Sequence, residues 1–172
     1  MMFLSLAIHF INLFAAAIVA GGQTYVFMVL IPTKRRFTDR TSVEVHNAML
    51  GHQTDYYMKP AGIVSGLSGA LALALAILAA FEVASGLEAF RLPVVSVVFL
   101  CLGLLGTLGV AITSRYFNVP TNAMMLTWSL DAIPANYPEI RRHWDLVHTI
   151  RASCGVTAFT SYLIAALARI ST

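Results

Sequence analysis

Charged side chains occur along this chain in clusters, separated by long stretches that contain none. Met1 to Thr33 holds no Asp, Glu, Lys or Arg, and Ala61–Phe81 and Leu92–Ile112 are each 21 residues long and equally free of charge. Ala152–Ala168 is a fourth run, shorter, with Arg151 at its edge. A helix rises about 1.5 Å per residue, so roughly 20 apolar residues cross the hydrocarbon of a bilayer. The four runs predict spanning helices over residues 3–31, 61–82, 92–113 and 150–170. Their backbone groups must pair internally, because lipid offers them no partners. The first run lacks a preceding basic segment and continues through Tyr25–Ile31 beyond Gly21-Gly22, which favours a retained helix over a cleaved signal peptide. The expected fold is all-α: a membrane-embedded antiparallel four-helix bundle, with residues 1–172 forming one transmembrane domain.

Composition agrees and excludes an ordinary soluble domain. Apolar residues make up 58% of the chain and charged residues only 11%, against about 25% charged in soluble domains. The position of the charges says more than the net +3. Lys34, Arg35, Arg36, Arg40 and Lys59 fall between the first two runs, and Arg115, Arg141, Arg142 and Arg151 between the last two. Only Arg91 and Arg169 fall on the other side. The positive-inside rule then puts both long loops in the cytoplasm and both termini outside a cell (inner) membrane. Cys101 and Cys154 lie at different depths, which argues against a disulfide and for packing roles. Gly62 and Gly66, then Gly103, Gly106 and Gly109, then Ser153, Thr157 and Ser161 mark faces on which helices could approach closely. Such residues are also simply common in membrane helices.

The cytoplasmic ends read as helical extensions. Thr41-Ser-Val-Glu44 has capping-box spacing, so a helix is expected from near Ser42 through Met58 and, with a kink at Pro60, into the second span. Asn136-Tyr-Pro138-Glu139 predicts a start of the fourth helix near Pro138 and a run to about Ile170. Between the third span and that start, Asn118-Val-Pro-Thr-Asn122 is expected to turn the chain at the interface. Ile31-Pro32-Thr33 and Val119-Pro120-Thr121 close the first and third spans alike, a faint hint of a two-helix repeat.

Four of the five histidines, His46, His52, His143 and His148, lie in these extensions. Helical spacing puts His52, Asp55, Tyr56 and Lys59 on one face, and Arg141, Asp145 and His148 on another. If the two helices are neighbours, His52, Asp55, Asp145 and His148 form a candidate metal set of the kind found in helix bundles. Mixed N/O ligands suit Fe, Mn or Zn better than Cu(I). An iron, copper or manganese ion, a haem held by His52 and His148, and no cofactor at all stay open. A solvated charge pair and a metal-free acid–base site explain the same residues. Arg151 is costly at a membrane boundary unless it snorkels to the cytoplasm or points inward to an anionic partner. Asn118 and Asn122 either line a pocket or satisfy backbone at the turn.

Three stretches taken together resemble the anthrone-oxygenase-like family of four-helix membrane proteins. They are Gly21-Gly-Gln-Thr-Tyr-Val-Phe-Met-Val-Leu-Ile-Pro32, Asn118-Val-Pro-Thr-Asn122 and Trp144-Asp-Leu-Val-His148-Thr-Ile-Arg151. The resemblance covers nearly the whole chain, and its motif positions here are Asn118, Pro120, Asn122, Trp144, His148 and Arg151. It implies oxidation of a small lipophilic aromatic or quinol-like compound, such as an anthrone, at the cytoplasmic membrane edge. On that reading a neutral His148 oriented by Asp145 removes an acidic proton, with Arg151 or Asn118 stabilising the oxyanion. Asn122, Trp144 and Tyr56 are the expected substrate contacts. The competing reading is a non-catalytic accessory or scaffold subunit of a larger membrane complex, or a homo-oligomer, whose small-residue faces pack on other helices. The expected partners are the lipid bilayer and a small lipophilic molecule, with no nucleic acid. A transporter is less favoured, since no broken helix pair marks a pathway.

Overall fold

The computed structural model describes residues 2–50, 54–84 and 91–170, with side chains placed at 3–49, 59–78 and 94–168. Every regular element among them is helical. α1 (Met2–Tyr25) continues through a five-residue π segment, Val26–Leu30, into α2 (Ile31–Lys34). α3 (Asp39–Leu50) and α4 (Thr54–Ala84) follow. α5 (Arg91–Thr113) passes through a second π segment, Ser114–Asn118, into α6 (Val119–Leu126), and α7 (Tyr137–Ile170) closes the chain.

α1 packs on α4 and α7, and α5 packs on the same two. The residues they share are mostly small: Ala16, Ala72, Ala158 and Ala165 are buried around Leu100 and Tyr162. Small side chains let helix backbones approach one another closely. A Cβ at Gly106 would lie 2.7 Å from the Cys154 carbonyl oxygen and 2.9 Å from the Ala158 nitrogen, so α5 and α7 touch there by backbone. The Tyr162 ring fills the space over Gly69 and Gly103, with its hydroxyl 3.1 Å from Thr107 Oγ1. Gly62 has no such role, with nothing within 4 Å of its Cβ position. Cys101 and Cys154 are free thiols.

Large apolar side chains point outward instead, Phe3 at 84% exposure and Leu67 at 68% among them. Four helices are long and apolar enough to cross a membrane: Phe3–Lys34, Lys59–Leu78, Val94–Leu126 and Tyr137–Ala168.

Two expected boundaries move. Asn118-Val-Pro-Thr-Asn122 does not turn the chain: the helix runs on to Leu126. Proline lacks the N–H that an α-helix would use and its ring crowds the preceding turn. Here the strain is absorbed by widening the turn before it. The Val119 amide donates to the Ser114 carbonyl and the Thr121 hydroxyl donates to the Phe117 carbonyl at 2.7 Å. Pro32 is accommodated in the same way: Ile31 donates to the Val26 carbonyl and the Thr33 hydroxyl to the Val29 carbonyl, again at 2.7 Å. α3 begins one turn before Ser42, because Thr38 is its cap. Thr38 Oγ1 accepts the Thr41 amide at 3.3 Å, which removes Thr41 as the capping residue. α7 starts at Tyr137, close to the expected Pro138, and Pro60 sits inside α4.

α3 is tied down by a second, smaller core of Val43, Met125 and Tyr137. The Tyr137 hydroxyl donates to Ser42 Oγ at 2.6 Å, and Arg40 pairs with Asp131 at 2.9 Å. α3 thereby covers one end of the long helices.

Candidate functional site

Trp144, 5% exposed in the second turn of α7, is the centre of a buried polar cluster. Its indole Nε1 donates to Asn122 Oδ1 at 3.0 Å. Lys34 Nζ lies 4.4 Å from its ring centroid, within cation–π range. Lys34 and Asn122 each stand two residues after the proline that follows a π segment, so the two interrupted helices deliver equivalent positions to one indole. The His46 ring meets Trp144 edge-on at 5.3 Å between centroids, and the His148 ring lies 3.9 Å away.

His148 is 5% exposed and its Nε2 is 2.8 Å from Asn118 Oδ1. An amide oxygen only accepts, so Nε2 carries the hydrogen and donates, which leaves the lone pair on Nδ1. That Nδ1 is buried without a hydrogen-bond partner among the described residues. Arg151, one turn further along α7 and also buried, brings Nη1 to 3.5 Å from the same Nε2. Asn118 is the last residue of the second π segment, and the Pro120-directed widening sets where its side chain falls.

The Lys34 ammonium donates to His46 Nδ1 at 2.9 Å, and both side chains are almost wholly buried. Burial, and then the neighbouring Lys34 charge, push the His46 pKa from 6.5 down to about 3, with the Asn122 side chain opposing them. His46 is therefore a neutral acceptor at physiological pH.

These groups line one cavity of about 910 Å³. Lys34, His46, Asn118, Asn122, His148 and Arg151 form its polar end, and Ala16, Val19, Ser65, Thr107 and Ala158 its deep end. Gln23 adds a polar group between them. It is 3% exposed, and its Oε1 has no hydrogen-bond partner among the described residues. Ile63, Leu67 and Leu108 also line the cavity, yet remain 62%, 68% and 53% exposed. The wall between α4 and α5 is thus also the outer apolar surface.

Of the residues singled out from sequence, Asn118, Asn122, Trp144, His148 and Arg151 share this cavity. Asp145 takes a different role from the one expected. Its carboxylate is held by Arg35 at 3.0 Å, and the hydrogen bond that orients His148 comes from Asn118. His52 lies outside the described residues, as do the side chains of Asp55 and Tyr56. Asp145 and His148, the other half of the candidate metal set, are engaged by Arg35 and Asn118. Among the described residues no group of three or more His, Cys, Asp or Glu is placed to hold a metal ion. Lys34, Gln23 and the contact role of His46 are additions from the fold. The one sequence signal for Lys34 is its position after Ile31-Pro-Thr33, matching Asn122 after Val119-Pro-Thr121.

An oriented base, a cation and amide groups in a largely apolar cavity can remove a proton and stabilise the oxyanion that results. Comparison with protein-family models, with curated proteins and with solved structures gives no match to this chain.

Proposed function

We propose that this protein is a multi-pass membrane oxygenase or oxidase for a small lipophilic aromatic or quinol-like compound, akin to the anthrone-oxygenase-like proteins. Its long helices form an antiparallel bundle in the cell membrane, with the polar end cytoplasmic and both termini outside, as the nine-to-two distribution of basic residues favours. The observation that carries the reading is His148: hydrogen-bonded through Nε2 to Asn118, it keeps a buried Nδ1 without a partner beside a cavity whose wall reaches the outer surface.

In the proposed reaction the neutral imidazole of His148 removes a proton from the acidic methylene of an anthrone-like substrate. The negative charge delocalises onto the ring oxygen, where the Arg151 guanidinium stabilises it. Dioxygen, the oxidant, adds to the carbanionic carbon. Loss of water from the resulting hydroperoxide gives the quinone, so one anthrone and one O₂ become one anthraquinone and one water.

The test is oxygen uptake and quinone absorbance with an anthrone, using protein reconstituted in phosphatidylcholine nanodiscs. Wild type should turn over, and His148→Ala should lose about 100-fold or more, the scale of a general base. Equal rates for the two proteins, each with intact helical circular dichroism, would overturn the reading.

A further inference from the structure

The cavity contains a cation, Lys34, with no counter-charge in contact among the described residues. Lys34 is 2% exposed, with Nζ 2.9 Å from His46 Nδ1 and 4.4 Å from the Trp144 centroid, and neither partner is negative. Asp145 is the acid that acts electrostatically on Lys34, but Arg35 holds its carboxylate at 3.0 and 3.1 Å. Among the described residues no carboxylate comes within ion-pair distance of Lys34. Burying an ammonium with no anion in contact is strongly unfavourable.

We propose that the ligand supplies that anion: the cavity binds a flat aromatic molecule through an ionised oxygen that it carries on arrival, a carboxylate or a phenolate, placed against Lys34 Nζ. Two of the three ammonium directions are taken by His46 and Trp144, Lys34 is among the cavity's lining residues, and the third direction is assigned to the ligand. The rings then lie along the apolar walls toward Ala16, Ser65 and Thr107, in a volume of about 910 Å³. Entry is from the bilayer between α4 and α5, where Ile63, Leu67 and Leu108 are both cavity wall and outer surface. An amphiphile that partitions into the membrane with its anionic group at the interface arrives already oriented, charge toward the polar end and rings inward. This deepens the preceding proposal and rests on its reading of the cavity as the substrate site. It adds that the substrate binds as an anion, through a residue outside the proton-transfer pair.

Equilibrium binding of 9-anthracenecarboxylate and of its methyl ester, followed by their fluorescence in phosphatidylcholine nanodiscs, tests the proposal without requiring turnover. Wild type should bind the acid at least tenfold more tightly than the ester. Lys34→Arg should keep that preference and Lys34→Met should abolish it. Equal affinity of wild type for acid and ester overturns the proposal, whether or not the variants fold. Displacement of the acid when phosphatidylglycerol replaces part of the phosphatidylcholine would assign the site to a lipid phosphate and overturn the aromatic ligand. Acid-selective binding with no oxidation of anthrone would leave the anion site standing and remove the oxygenase reading. Anthrone oxidation by wild type together with equal affinity for acid and ester would do the reverse.

Discussion

Lys34 and His46, on different helices, meet through Nζ and Nδ1 at 2.9 Å with almost no exposure to solvent. Burial of the His46 ring, and then the Lys34 charge beside it, make stability depend on pH. The folded protein holds the His46 pKa near 3, while the unfolded chain has the ordinary 6.5. Below about 6.5 the unfolded chain takes up a proton that the folded one refuses, so the stability present above that pH is lost progressively as pH falls toward 3. At pH 5 the loss amounts to about 2 kcal/mol. Thermal denaturation in detergent should show a lower midpoint at pH 5 than at pH 7.5, and His46→Gln should flatten that difference. A wild-type midpoint that does not move between the two pH values would contradict the assignment.

Trp144 carries the next prediction. It contacts Lys34, His46, Asn122 and His148, so its removal opens a void and leaves polar groups without partners. Trp144→Ala should cost about 3–5 kcal/mol, the range for large core aromatics. Trp144→Phe keeps a ring beneath Lys34 but loses the bond to Asn122 and part of the indole's volume, a cost of about 1–3 kcal/mol. Chemical denaturation in detergent should rank the two accordingly, and similar losses would mean that ring contacts matter little.

Gly106 separates close backbone contact from small-residue composition. Gly106→Ala puts a methyl group against the Cys154 carbonyl and the Ala158 nitrogen, neither of which can rotate away. The helices must separate, at about 1–3 kcal/mol. Gly21→Ala meets nothing within 4 Å and should be neutral or stabilising by up to about 1 kcal/mol. Melting temperatures of the two variants should move in opposite directions or differ by several degrees.

Asn118 is a positioning residue in the proposed reaction, acting through His148. Asn118→Leu should lower kcat about 10- to 100-fold with KM little changed. Asn118→Asp keeps an acceptor for Nε2–H and should recover most of the rate. Stopped-flow oxidation of an anthrone would read the split, and a loss confined to KM would place Asn118 in substrate binding instead.

The four apolar runs were legible because long stretches nearly free of charge stand out from the sequence around them. The start of α7 was legible because Pro138 and Glu139 suit a helix N-terminus. Asn118, Asn122, Trp144, His148 and Arg151 were found because polar residues beside a span are few. The π segments were not legible. A proline after an apolar run reads as a stop, and the widened backbone bond from Ile31 to Val26 and the hydroxyl bond from Thr33 to Val29, which carry the helix on, leave no mark in the sequence. Lys34 was counted among the loop charges for that reason, and its burial depends on α3 folding over it through contacts remote in sequence. Asp145 was expected beside His148 because spacing on one helix cannot register Arg35 arriving from another.

The two π segments also bear on chain length. Each holds one residue more than a regular turn requires, so each interrupted span carries a surplus residue beside the cavity. An added or removed residue in an ordinary helix turns everything beyond it by about 100°. Within a π segment the surplus is absorbed locally, and the flanking helices keep their facing. Deleting Met28 together with Pro32→Ala should therefore leave Lys34 over Trp144, whereas deleting Phe14 from α1 should swing it away. These segments are the places where the chain can change length by one residue without losing its polar cluster.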